Sequence, residues 1–170
     1  MTSLSMSSAS APVFLRMLES LAAWLDKAER HAQARKFDAD VLLGTRLAPD
    51  MLPFAAQVRI ACDAAKFGLS RLAGTEAPKF ADDEQTLAEL KERVRRTIAY
   101  LQSVPTQSID GSEDRDVSVP RRDGPQVMKG EAYLKHVALP NFFFHVTMAY
   151  ALLRHNGVEL GKSDYLGLGG

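Results

Sequence analysis

Four stretches of the chain repeat apolar residues every three or four positions, the spacing that predicts amphipathic helices. The predicted helices span residues 11–32, 51–73, 84–104 and 140–156. The first three carry their apolar residues along one side, whereas the fourth is apolar almost all round, which indicates burial between other elements. The pattern therefore predicts an all-α fold, an up-down four-helix bundle in which the last helix is the most deeply buried.

Capping residues support these boundaries. Ser10 is a suitable N-cap for the first helix, and Asp50 is suitable for the second. The third helix has a capping box that starts at Thr86, or an earlier cap at Asp82 or Asp83. Each of these side chains is able to accept a hydrogen bond from a backbone N–H that the first helical turn leaves without a partner.

The two ends of the predicted bundle carry further signals. Residues 1–9 are small and serine-rich and are expected to form a disordered N-terminus, so that residues 10–170 make a single helical-bundle domain. Pro140 suits the first turn of the last helix, where its missing N–H costs nothing. Gly157 suits the left-handed position that follows the end of that helix.

The segment between the third and fourth helices has a different pattern. Val117 and Val119 alternate with polar residues, Asp123-Gly124 is typical of a turn, and residues 127–128 are apolar again. This pattern predicts a small β-hairpin inserted before the last helix. An isolated hairpin is only marginally stable in water, so we expect it to pack on the bundle or on a partner chain.

Charge and composition narrow the function classes. The chain has 21 basic and 21 acidic residues, so no overall field favours nucleic acid or an anionic membrane as a partner. No secretory signal or membrane-spanning run of about 20 apolar residues is evident. With one cysteine, Cys62, an internal disulfide is excluded, and the residue is expected to be a small core side chain. A cytoplasmic location is expected by elimination.

His145 is the most informative polar residue of the last helix because its neighbours are apolar. It is either a core histidine that hydrogen-bonds a neighbouring helix, or a metal ligand or base in a binding pocket. The polar face of the second helix is either an exposed surface, on which Arg59 and Asp63 form an ion pair four residues apart, or it lines the same pocket or a subunit interface through Asp63 and Lys66. The pocket candidates are His145, Asp63, Lys66, Asn141 and Tyr150.

The histidines do not form a metal site by their spacing alone. His136, His145 and His155 are nine and ten residues apart, which on one helix separates neighbouring members by about 14–15 Å. Zinc ligands on one helix are instead three or four residues apart. We therefore predict no tightly bound cofactor. The alternative is a divalent transition metal, for which His145 and Asp63 would be the ligands.

Two long segments carry a family resemblance. PNFFFH…AYALLRHNGVELGKSDYLG and residues 57–78 resemble the uncharacterised bacterial domain-of-unknown-function family nineteen-ninety-three. That family is similar in fold to the DinB/YfiT-like four-helix bundles, many of which are regarded as metal-dependent enzymes. The resemblance implies one metal-binding histidine on the second helix and two, four residues apart, on the last. In this chain the second helix has no histidine, and Ala149 stands four residues after His145.

These observations leave two functional hypotheses. The first is a small-molecule-binding or interaction protein, a bundle with a degenerate DinB-like site and an unidentified small molecule as its ligand. The alternative is a DinB-like metal-dependent transferase or hydrolase that uses His145 with a reduced ligand set. The sequence identifies no catalytic residue and does not decide whether the protein is an enzyme.

The second helix also predicts a homodimer. A polar stripe, interrupted by Ile60 and Phe67, is expected to pair with the same stripe of a second copy. The stripe consists of Arg59, Asp63, Lys66 and Ser70. Self-pairing is electrostatically possible because Asp63 of one copy is able to meet Arg59 or Lys66 of the other.

Overall fold

The computed structural model describes residues 4–168, which are mostly helical. The elements, in chain order, are α1 (Met6–Arg35), a 3₁₀-helix (Ala39–Gly44), α2 (Phe54–Ala73), α3 (Leu87–Ser103), α4 (Thr106–Ile109), β1 (Asp116–Val119), β2 (Gln126–Lys129), α5 (Gly130–Tyr133), a π-helical segment (Leu134–Ala138), α6 (Leu139–His155) and α7 (Lys162–Tyr165). The predicted all-α class with a small hairpin is confirmed.

The core lies where the four long helices meet. α2 packs against α3 and α6, and α1 packs against the same two helices. The largest side chains of the core are wholly or almost wholly buried: Trp24, Tyr133, Phe14, Phe54 and Phe142. α2 and the last helix run antiparallel, because Gln57 contacts His145 near one end of their interface and Arg71 contacts Tyr133 near the other.

α1 begins earlier than the sequence predicts. Its N-cap is Ser5, which forms a capping box with Ser8, so the serine-rich segment starts the helix instead of preceding it. Asp110 accepts a hydrogen bond from the backbone N–H of Ser7 at 2.9 Å and ties this end to the bundle. Ser10 and Pro12 therefore lie inside α1, and the helix includes residues 6–9. Residues 1–3 lie outside the described residues.

The other predicted caps have mixed outcomes. The Thr86 capping box is confirmed, with Glu89 as its reciprocal partner, and the earlier alternatives at residues 82–83 are wrong. Asp50 does not cap α2: the helix starts after Pro53, which provides no side-chain hydrogen bond. Gly74 ends α2 in the left-handed conformation at φ 69°.

The last helix starts ten residues before the predicted boundary, because α5, the π-helical segment and α6 are continuous from Gly130 to His155. Pro140 has no N–H and would clash with a carbonyl in a regular α-helix. Just before it the backbone widens, and the Leu139 N–H bonds to the Leu134 carbonyl, five residues back. At Gly130 an added Cβ would lie 2.0 Å from the Ser112 carbonyl oxygen, so only glycine fits there.

This continuous helix, Gly130–His155, is the one helix among residues 4–168 that is long and apolar enough, by length and composition alone, to cross a membrane. Core helices of water-soluble proteins share this property. Its C-terminal part, α6, packs against α1 and α2, and Phe142, Val146 and Leu153 are at most 1% exposed. This packing is compatible with a soluble protein.

The predicted hairpin is confirmed, and its two strands are unequally buried. β1 and β2 are antiparallel, with Val117 opposite Met128 and Ser118 opposite Val127. Val117 and Val119 are 2% and 5% exposed, whereas Val127 is 62% exposed. The hairpin is therefore stabilised by the inward side of β1, which packs on the helices.

Candidate functional site in the α2–α6 cleft

A buried charge network joins α2 to α3. The Arg93 side chain lies 2.9 Å from Asp82, 2.9 Å from Glu84 and 3.1 Å from Asp63. The contact with Asp63 is an ion pair without hydrogen-bond geometry. Lys66 lies 2.8 Å from Asp63 and is itself buried. Since each buried cation has a carboxylate partner, the network avoids the large cost of an unpaired buried charge.

Glu84 connects this network to Arg59. The Arg59 Nε atom donates to the Glu84 carboxylate at 2.6 Å. Burial alone would raise the pKa of Glu84, but hydrogen bonds from Arg93 and Arg59 hold it below the usual 4.5. The Phe80 ring covers the network, with Lys66 and Arg96 each 4.4 Å from its centre.

The polar stripe predicted to form the dimer interface is instead largely satisfied within the chain. Lys66 and Ser70 are each 2% exposed, and Arg59 is paired with Glu84. The sequence pattern showed these residues on one side of α2 but not that α3 covers that side. The homodimer itself stays a prediction.

His145 lies at the α2–α6 interface and is 8% exposed. Its Nδ1 atom is 2.7 Å from the Gln57 Oε1 atom, and the Gln57 Nε2 atom donates to the Leu52 carbonyl at 3.1 Å. Because the amide nitrogen of Gln57 is used there, its oxygen accepts from His145, and this assigns the imidazole proton to Nδ1. Nε2 then carries a lone pair, with no hydrogen-bond partner among residues 4–168.

The buried His145 is expected to make the fold less stable in weak acid. Burial lowers the pKa of its ring below the ordinary 6.5, so the unfolded chain is protonated at a higher pH than the folded chain. The unfolded state then binds more protons, and the free energy of unfolding decreases as the pH falls below about 6.5. Thermal melts at mildly alkaline and mildly acidic pH measure the difference.

His145→Gln should flatten that pH dependence. At neutral pH it should also cost about 1–3 kcal/mol, because the ring is lost and Gln57 loses its partner. The matched control is His155→Gln, at an exposed position on the same helix, which should keep the wild-type pH dependence. An equal response of the two variants would contradict the assigned role of His145.

A cleft of about 200 Å³ lies between α2 and the last helix, one turn from His145. Ile60, Phe67 and Val137 give it apolar walls. Its polar groups come from both helices: Asp63, Arg71, Tyr133 and Asn141. Apolar walls with a few polar groups are typical of small-molecule sites. We refer to this region as the α2–α6 cleft.

Arg71 is held in place at one end of the α2–α6 cleft. Its Nη1 atom donates to the Tyr133 hydroxyl at 3.1 Å, and that hydroxyl donates to the Phe67 carbonyl at 3.3 Å. The guanidinium also lies 5.1 Å from the centre of the Phe67 ring and 5.7 Å from that of Tyr133. Burial raises the pKa of Tyr133, and Arg71 opposes that rise, so the phenol stays neutral and able to donate.

The structure brings together only part of the predicted set. Asn141 and Asp63 line the cleft, and His145 lies one helical turn from Asn141 without lining it. Lys66 belongs to the buried network. Tyr150 packs instead against the rings of Trp24 and Tyr165, at 5.4 and 5.6 Å. Within residues 4–168, no three His, Cys, Asp or Glu side chains are grouped to hold a metal ion.

Sequence reasoning missed Gln57, Arg71 and Tyr133. The sequence could have indicated that Gln57 is buried, since it lies four residues before Ala61 on the face of α2 whose small side chains allow close packing. No sequence signal pointed to Tyr133, because it precedes Pro140, where the predicted helix began.

Cys62 is a core residue as expected: burial raises the pKa of its thiol to about 12, which removes the reactive thiolate at neutral pH.

Comparison with known proteins identifies the family. The model of a family described as a domain of unknown function (DUF1993) matches residues 6–166. The chain belongs to this family. The predicted resemblance is thereby confirmed. No curated protein matches the chain.

The chain is also similar to a solved structure, the crystal structure of a DinB family member protein from Shewanella denitrificans. The two chains are 44% identical, with a TM-score of 0.89. The match covers 95% of this chain and 91% of the other. This DUF1993 chain therefore has a fold like that of a DinB family member.

Proposed function

We propose that this DUF1993 protein is a small-molecule-binding or interaction protein whose ligand occupies the α2–α6 cleft, a degenerate form of the DinB-like site. The observation that carries the proposal is the cleft itself, in which apolar walls surround Arg71, Tyr133 and Asn141. Arg71 is already fixed by Tyr133, so little conformational entropy remains to be lost when a ligand binds.

The proposal includes an up-down four-helix bundle as the scaffold. α1, α2, α3 and α6 are its four members, and the antiparallel course of α2 and α6 supports it. In DinB-like bundles the second and last helices carry the metal-binding histidines. The α2–α6 cleft lies between the same two helices, one helical turn from His145, and the Asn141 carboxamide that lines it is able to hydrogen-bond a polar ligand group.

Blocking the cleft tests the proposal. Ala64 lines the cleft, so Ala64→Phe places a ring in the space that a ligand would occupy. We expect compounds found by a thermal-shift screen of the wild-type protein to lose binding to this variant. The matched control is Ala99→Phe on the exposed side of α3, which should bind them normally. Compounds that bind Ala64→Phe as tightly as wild type would contradict the proposed location.

One observation favours the second candidate, a metal-dependent transferase or hydrolase. The Nδ1–H of His145 is held by the Gln57 oxygen, the kind of outer hydrogen bond that orients metal-binding histidines, and Nε2 is left as the donor atom. The DinB-like set of three histidines does not fit this chain, because α2 has no histidine and Ala149 follows His145 by one turn. Stoichiometric zinc, nickel or iron in protein purified without a His tag would favour this candidate over the first.

A further inference from the structure

A second cavity continues from the α2–α6 cleft toward the hairpin. It has a volume of about 520 Å³ and lies between the end of β1 and the π-helical segment. Arg71 and Asn141 line both the cleft and this cavity. Arg121, from the hairpin turn, and His136, from the π-helical segment, complete its polar lining. We call it the hairpin cavity.

The hairpin cavity is locally cationic in a chain whose formal net charge is zero. Two guanidinium groups line it, and none of its lining residues is acidic. Asp63 is the acidic residue that lines the adjoining cleft, and its charge is offset by Lys66 at 2.8 Å and Arg93 at 3.1 Å. The field in the cavity therefore favours an anion.

Arg71 is positioned to receive that anion. Its Nη1 atom is used by the Tyr133 hydroxyl, whereas Nε and Nη2 have no hydrogen-bond partner among residues 4–168. Two neighbouring N–H groups of a guanidinium match the two oxygens of a carboxylate. Because the rings of Phe67 and Tyr133 already restrain the side chain, this geometry is set before the ligand arrives.

We propose that the hairpin cavity binds a small organic carboxylate, with Arg71 and Arg121 as its charged clamp and Asn141 as a further hydrogen-bond donor. Val119, Val137 and Pro140 provide an apolar wall for the rest of the molecule. This inference rests on the proposed function and specifies the chemical class of its ligand. The hairpin then has a role in binding, since its turn delivers Arg121 to the site.

Benzoate and its neutral analogue benzamide test the inference, because the two differ mainly in charge. Binding to the full-length protein is followed by NMR titration in the millimolar range. Benzoate should bind, and benzamide should bind at least about tenfold more weakly, the loss expected for one charge-assisted contact.

Arg121→Gln should weaken the affinity for benzoate about tenfold. The matched control, Arg122→Gln, changes the adjacent exposed arginine, which does not line the cavity, and should leave binding nearly unchanged.

Three outcomes would overturn the inference: no binding of benzoate, equal binding of benzoate and benzamide, or equal losses in the two arginine variants. The Ala64→Phe experiment separates this failure from failure of the proposed function. If neutral compounds bind wild type and are blocked by Ala64→Phe while benzoate does not bind, the cleft is a ligand site and the carboxylate assignment is wrong. If no compound is blocked by Ala64→Phe, the proposed function fails first.

Discussion

Replacing Arg93 with methionine is expected to lower the free energy of unfolding by about 3–5 kcal/mol. The side chain is 2% exposed and is the common partner of Asp63, Asp82 and Glu84. Methionine preserves much of the volume but removes the positive charge. Glu84 would keep Arg59 and Asp63 would keep Lys66, but both of these partly buried carboxylates would lose the cation that lies between them.

Urea denaturation at neutral pH measures this loss, and the same substitution at Arg95 is the matched control. Arg95 lies two residues along α3, is 70% exposed and, among residues 4–168, pairs with Glu92 alone. Exposed pairs contribute little because water screens them, so Arg95→Met should change stability only slightly. Similar midpoints for the two variants would show that the α2–α3 network does not stabilise the fold.

Replacing Phe142 with alanine is expected to cost about 3–5 kcal/mol, the range for a fully buried phenylalanine. Its ring meets the edge of Phe14 at 4.9 Å between ring centres. Phe14 in turn fills the space beside Gly68, where an added Cβ would lie 2.9 Å from its ring. Phe142 therefore connects α6 through α1 to α2, and its loss leaves a cavity behind the α2–α6 cleft.

The matched control for Phe142 is two residues away on the same helix. Phe144 is 53% exposed, so Phe144→Ala removes a ring that is already half in water and should cost much less. Chemical denaturation compares the two variants. If Phe144→Ala were as destabilising as Phe142→Ala, the orientation of α6 described here would be wrong.

The sequence predicted those features that depend on local chemistry. Thr86 and Glu89 form a capping box because both partners lie within one helical turn. The hairpin followed from the alternation around Val117 and Val119 and from the turn at residues 123–124. The all-round apolar character of the last helix correctly indicated that α6 packs against other helices, but the prediction that it is the most deeply buried helix is wrong. Thirteen of the 20 residues of α2 are buried, against six of 17 in α6, whose apolar residues include the exposed Phe144.

Features that depend on contacts between distant residues were not predictable in the same way. The stripe that contains Lys66 was assigned to the surface because nothing in α2 shows that Arg93, from α3, covers it. Pro140 was taken as a helix start, whereas the π-helical segment before it lets the helix continue. The predicted set of pocket residues was incomplete because the start of the last helix was misplaced. Arg71 and Tyr133 meet because that helix starts at Gly130.

We propose that a small molecule binds in the α2–α6 cleft. The most direct measurement is a ¹⁵N–¹H NMR titration of the uniformly labelled protein with compounds from the thermal-shift screen. We predict that the largest chemical-shift changes are at Ala64, Phe67, Arg71, Tyr133 and Asn141, with α3 residues such as Ala99 unaffected. Shifts that concentrate on another face of the molecule, or no shift at saturating ligand, would contradict the proposed binding site.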